Sequence, residues 1–464
     1  MRGRGADGGG ADGGGRTLAV LLVADLAFAF QQTAVVPAIP AVQRDLHASQ
    51  EWSAWLLTGY LVASSVATPL LGKLGDRHGR RRALAGSLAG FLAGSIGAAL
   101  APNIALLIVF RAVQGIGGGI FPLTLALARD RLADDWVQRG VGLLTGAFGV
   151  GTAVGFGISG VVVESLSWRY LFGIGAAVVA AALAFVLAAP AADEDRRAGR
   201  VDLPGTLLFT GGVSLLLVAL TLGVRHGFGS GWSVGCFVLA AVLLAGWVVV
   251  DLRVDDPLLD LRVLARPAVL LANLVTLGLG YVLFGTFFLL PFLVTDGGAA
   301  GRGVSGGPVA AGLYLLPSAL GQAVSGPAAG VLARRVAPKW IAGGGMAAVA
   351  AASALLAAWH AQPWQLVVWT LLLGLGAGAA LSVVSDLVTE LVEPTETGAA
   401  TSLNSTLRRV AGGIGSQVGA ILLVTLAVRP HAPTNEAFVI AFAIGAATAA
   451  AGAAAATAIR PRRG

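Results

Sequence analysis

The sequence predicts an all-α integral membrane protein with fourteen transmembrane helices, and three observations predict it. Hydrophobic residues fill 56% of the 464 positions and charged residues only 12%, with a mean hydropathy of +0.81. A soluble domain carries roughly 25% charged residues and could not cover its surface with so few. Second, the apolar runs are long enough to cross a bilayer as helices, for which about 20 residues suffice. A membrane β-barrel would instead show alternating segments of roughly 10 residues. Third, Lys and Arg collect in the short gaps on one side of the predicted membrane.

Taken in order, the chain opens with MRGRGADGGGADGGGRT, a Gly-rich stretch with no apolar core before Arg16. It reads as a disordered tail over 1–16, not a signal peptide. Six spans follow, over 17–40, 52–72, 83–100, 104–128, 141–163 and 170–189. A polar linker over 192–202 leads to spans 203–224 and 232–250, and a second linker ends at Pro267. Six more spans begin near Ala268, Pro308, Trp340, Trp364, Thr401 and Phe438. The expected organisation is a tail (1–16), a six-helix bundle (17–190), linkers with a two-helix insert (191–267), a second six-helix bundle (268–459) and a short tail (460–464).

With the N-terminus inside and the spans alternating, the cytoplasmic segments hold 23 of the 31 Lys and Arg, and the outer loops hold 5. Arg111, Arg408 and Arg409 lie within or at the edge of spans. This bias predicts both termini in the cytoplasm, in a cell membrane. The net charge of +7 therefore serves orientation and contact with anionic lipid, not nucleic acid. The single cysteine, Cys236, can form no internal disulfide. The five histidines are scattered over loops, and no metal-ligand spacing, P-loop or nucleophile elbow occurs. The sequence predicts neither an enzyme nor a cofactor.

Four stretches carry chemistry. Gly72–Leu84, GKLGDRHGRRRAL, joins the second and third spans. Gly72 and Gly79 suit a tight turn, and Asp76 can accept hydrogen bonds or pair with a base at the membrane edge. Gly330–Arg335 echoes the start of this stretch after the tenth span, as two related halves would. In the fourth span, LIVFRAVQGIGGG places Arg111 inside the membrane, where a lone charge costs at least about 2.5–3.5 kcal/mol. In the fifth, Gly142, Gly151, Gly155 and Gly160 form a stripe of small residues that permits close helix packing. In the first, QQTAVVPAIP (31–40) carries Gln31 and Gln32.

These motifs resemble those of the major facilitator superfamily, and the fourteen spans resemble its drug:proton antiporters. The resemblance implies two six-helix bundles plus the two-helix insert. It also implies export of amphipathic organic compounds, such as drugs or antibiotics, by proton antiport with alternating access. By the same resemblance, Gly72, Asp76, Arg77, Gly79, Arg80 and Arg81 form a conformational latch, and Arg111 takes part in proton coupling. The glycine stripe matches the antiporter motif, although Phe156 stands where the family has proline. Gln31 stands where these exporters usually have an acid, and it cannot carry a proton. Asp25, in the apolar part of the same span, is the alternative acid; its plainer reading is a structural carboxylate.

Gln31, Gln32, Gln114, Asn273 and Gln322 are candidate polar residues of a substrate cavity. Asp386 and Glu390 are a possible second acid site, or simply solvated at the cytoplasmic boundary. Partners are a small amphipathic organic substrate, protons and lipid, for a monomer driven by a proton gradient. A facilitator or proton symporter for a specific small solute is the alternative. A receptor or scaffold on a transporter fold would need larger extramembrane segments than are present.

Overall fold

The computed structural model describes residues 10–132, 134–188, 202–254, 257, 259–296, 304–393, 396–429 and 432–459. The first nine residues, the linker 189–201, His431 and the tail 460–464 lie outside the described residues. Among the described residues, fourteen helical segments are long and apolar enough to cross a membrane. A helix satisfies its own backbone polar groups, which is why it is the spanning element for such a sequence.

The first six spans are built from α1 (Gly10–Ala34), α3 (Gln50–His78), α4 (Arg80–Ala99), α5 (Ile104–Gln114) continued by α6 (Ile120–Arg131), α7 (Asp134–Ser165) and α8 (Trp168–Ala188). Helix α1 starts at Gly10, so backbone order reaches into the Gly-rich stretch expected to be tail. It ends at Ala34 and not near 40, because Pro37 and Pro40 interrupt the ladder; a short α2 (Ile39–Asp45) follows. The fourth span is also not one helix. Gly115–Gly119, GIGGG, forms a 3-10 turn between α5 and α6. Glycine is a poor α-helix former, and the turn lets the backbone approach α3 and α4 closely.

The insert is α9 (Leu203–His226) and α10 (Gly231–Asp251), followed by the short α11 (Leu261–Leu264). The last six spans are α12 (Pro267–Asp296), α13 (Pro308–Leu332), α14 (Pro338–Ala358), α15 (Pro363–Glu390), α16 (Thr397–Thr425) and α17 (Asn435–Ala458). Proline opens α12 to α15, the position where its missing N–H costs nothing. Side-chain caps from Asn103, Asp202, Ser230 and Thr434 start α5, α9, α10 and α17. A two-stranded ladder, β1 (Ala427–Arg429) with β2 (Ala432–Pro433), tightens the connection from α16 to α17.

Two seams join the first and second halves. At one, α3 packs along α16. Thr406 donates to the Ser65 carbonyl at 2.8 Å, and Arg409 donates to the Ser64 carbonyl at 2.7 Å and to the Thr68 hydroxyl. At the other, α7 packs along α13. There Gly160 lies against Pro308 and Val309, Gly312 lies against the Phe156 carbonyl, and Glu164 accepts from the Val309 N–H at 3.0 Å. These close contacts sit at the end of the bundle remote from the basic loops. Helix α9 covers the first seam. Phe209, Val213 and Leu217 pack with Trp55, Val62 and Leu403, and the Trp55 indole donates to Thr221 at 3.0 Å.

Candidate functional site

The polar residues inside the first half form a connected chain. Arg111 is fully buried. Its Nε donates to the Leu56 carbonyl of α3 at 2.8 Å, and its Nη1 donates to Gln114 Oε1 at 2.8 Å. Its guanidinium stacks on the Tyr60 ring, 4.6 Å from the centroid. Gln114 Nε2 donates to Ser95 Oγ at 2.9 Å, and Ser95 lies 3.0 Å from Gln31 Oε1. The Ser95 hydroxyl also reaches the Phe91 carbonyl at 2.7 Å, so its one proton is shared. Gln31 closes the chain with a long 3.5 Å contact to the Phe172 carbonyl, against the bare backbone of Gly175. Five helices, α1, α3, α4, α5 and α8, are tied by this chain.

Gln31 of the first span and Arg111 and Gln114 of the fourth, which lie in two separate motifs, are thus one unit. Ser95 completes it, and nothing in its sequence setting marked it. No member of the chain is an acid. Arginine stays protonated, and neither glutamine nor serine exchanges a proton at neutral pH. The chain holds helices in register and presents a buried positive charge.

Asp25 lies elsewhere. Its carboxylate is buried and accepts one bond, from Thr124 on α6 at 2.7 Å; its Oδ2 has no partner. Thr124 is thirteen residues beyond Arg111 on the same span, on the order of 20 Å along a helix axis. The two residues assigned to proton coupling are therefore not in contact: Asp25 lies toward the basic end and Arg111 toward the other.

The chain turns between α3 and α4 at Gly79 alone; Gly72, expected to share the turn, lies within α3. Gly79 has φ of 101°, a conformation that disfavours any residue with a Cβ. Arg80 bridges Asp76 at 3.2 Å and Asp130 of α6 at 2.7 Å. Arg81 donates to the Val186 and Leu187 carbonyls at the end of α8. These partners all belong to the first half. Gly72 has open space around it, and Arg77 is exposed.

The glycine stripe of α7 divides its work. Gly151 and Gly155 lie against the Leu26 and Phe30 carbonyls, so α7 packs on α1. Gly160, five residues on, faces the other half at α13. Gly142 is exposed and touches nothing. At 100° per residue, Gly151 and Gly155 share a face, while Gly160 is rotated away from it.

The remaining cavity candidates do not converge. Asn273 is buried between α12 and α16, where it bonds the Val269 carbonyl and accepts from Asn404 at 3.1 Å. Gln322 bonds back to the Ser318 carbonyl within α13. Gln32 has a buried Oε1 without a partner. Asp386 and Glu390 lie on the surface near the end of α15. No group of three or more His, Cys, Asp or Glu suited to a metal occurs among the described residues.

The pattern of the Major Facilitator Superfamily matches residues 21–416, most of the chain. The protein belongs to the major facilitator superfamily. It is 32% identical to a puromycin resistance protein of Streptomyces alboniger, over 86% of this chain and 79% of the relative. It is 28% identical to a tetracenomycin C resistance and export protein of Streptomyces glaucescens, over 88% and 76% of the two chains. Its fold superposes on the nucleoside transporter NupG with a TM-score of 0.68 at 13% identity, covering 96% of this chain and 99% of that one. The chain is a multi-pass membrane transporter of this superfamily, not an enzyme.

Proposed function

We propose that the protein exports amphipathic organic compounds from the cytoplasm across the cell membrane in exchange for protons. The relatives named for antibiotic resistance and export support the direction and the class of cargo. The charge bias of the loops supports a cytoplasmic location for both termini. The single observation that carries proton exchange is Asp25, an acid inside a span with one hydrogen-bond partner and one bare oxygen. A carboxylate so placed is held at a cost unless it binds a proton or pairs, which is how an acid serves as a proton site in a membrane.

Coupling follows the packing. Asp25 sits on α1, α1 packs on α7 through Gly151 and Gly155, and α7 meets α13 through Gly160. Gain or loss of the proton on Asp25 biases α1 and α7, and with them the seam that opens and closes on one side. The halves 17–190 and 268–459 rock about this seam and the α3–α16 seam, with 191–267 as an insert. The Arg80 bridges and the Arg81 bonds fasten the basic end of the first half as one body. One fact favours a second reading, a facilitator or symporter: Gln31 replaces the usual acid of the first span and is bonded into a chain that holds no acid.

The test uses inverted membrane vesicles and a panel of amphipathic antibiotics. A proton gradient should drive accumulation, and a protonophore should abolish it. Accumulation against a gradient that survives the protonophore would overturn proton exchange. Counterflow alone would favour the facilitator.

A further inference from the structure

Three arginines lie deep in the spans, Arg111, Arg408 and Arg409, against one deep acid, Asp25, which bonds Thr124 instead. None of the three arginines pairs with a carboxylate among the described residues. Unpaired buried charge is expensive, by several kcal/mol per ion even after relaxation. Two of these cations converge on one stretch of α3. Arg111 stacks on Tyr60, and Arg409, from the other half, bonds the Ser64 carbonyl and the Thr68 hydroxyl. Tyr60 lies within electrostatic reach of both.

The same place collects under-used donors. Arg111 Nη2 is buried without a hydrogen-bond partner, and the buried Tyr60 and Ser64 hydroxyls have no partner beyond one another. Buried polar groups are nearly always satisfied, so each of these calls for an explanation. One guanidinium edge, two hydroxyls one turn apart and a second guanidinium across the seam are what an anion satisfies and a cation does not.

We propose that Tyr60, Ser64, Arg111 and Arg409 form an anion-binding centre between the two halves, specific for a carboxylate or similar anionic group. The group is supplied either by the transported compound or by a free inorganic anion. In the closed seam, Arg409 uses the Ser64 carbonyl and Thr68 as substitutes; when α16 parts from α3, it turns to the anion. Where the transported compound is the source, the proposal rests on the export reading and narrows its cargo to compounds carrying an acidic group.

The test measures binding without a gradient, so it is independent of proton-driven export, which could fail while binding holds. Full-length protein in neutral-lipid nanodiscs is titrated with radiolabelled benzoate, with benzamide, benzylamine and chloride as competitors. Saturable benzoate binding resisted by benzamide and benzylamine supports the centre. Displacement by chloride in the millimolar range assigns a free anion as the source; resistance to chloride assigns the organic acid. Arg111→Gln and Arg409→Gln should each weaken benzoate roughly tenfold or more, and Arg409→Lys should restore part of the loss. Should the glutamine variants not fold, Tyr60→Phe and Ser64→Ala, each lacking one hydroxyl, should weaken binding several-fold. The proposal is overturned if neither benzoate nor chloride binds saturably, if benzylamine competes as well as benzoate, or if the folded variants all keep wild-type affinity.

Discussion

Thr124 donates a 2.7 Å hydrogen bond to Asp25 across the α1–α6 contact and leaves the second carboxylate oxygen bare. One partner holds the acid in place without neutralising it. That arrangement leaves one oxygen free to bind a proton.

Asp25→Asn keeps the bond to Thr124 but cannot lose a proton. It should abolish proton-driven export while binding of substrate persists. Transport assays in vesicles, paired with a binding assay, check this. Undiminished uphill export in the variant would remove Asp25 from the mechanism.

Ser95 joins Gln31 to Gln114, and its loss strands polar atoms on both. Ser95→Ala should lower stability by about 1–3 kcal/mol, the cost of buried groups left without partners. Ser95→Thr, which keeps the hydroxyl, should cost less if its methyl is accommodated. Thermal unfolding in detergent compares the two.

The glycines of α7 should not respond alike. Gly142→Leu adds a side chain to open space and should change stability by no more than about 0.5 kcal/mol. Gly155→Leu drives atoms into the Phe30 carbonyl and Thr33 and should destabilise by about 1–3 kcal/mol or more. Gly160→Leu meets Pro308 and Val309 instead, so it should hold the α7–α13 seam apart. Accessibility of engineered cysteines at that seam to a membrane-impermeant maleimide would report the opening.

Outside the spans, the Trp168 indole N–H and the Arg169 guanidinium hold the Asp45 carboxyl below its ordinary range. A depressed folded pKa means that this stabilisation is present above the unfolded value, about 3.9, and is lost as pH falls through the folded value. The melting temperatures of the wild type and Asp45→Asn should differ at pH 7 and converge as the pH falls through the depressed folded value. A constant difference across that range would assign the effect to packing.

Much of the candidate site was legible, but not its connections. Arg111 and Asp25 stood out because a charge in an apolar span is costly wherever the span lies. Arg409 carries the same signal, within or at the edge of its span, but nothing local says which helix it meets. Ser95 and Tyr60 gave no signal, since a serine or tyrosine in a span is ordinary until its partner is known. The stripe of four glycines read as one motif, but helical rotation sends Gly160 to α13 and leaves Gly142 in open space.

Fourteen membrane-crossing helices, the basic end of the bundle and the turn at Gly79 follow from the amino-acid order alone. They rest on apolar length, charge placement and backbone sterics, which are local. Helix packing is what makes Gln31, Ser95, Gln114 and Arg111 one chain, sets Asp25 apart from it, and brings Arg409 to α3 from the other half. Each depends on which helix faces which, and that is set by packing between segments far apart in the chain.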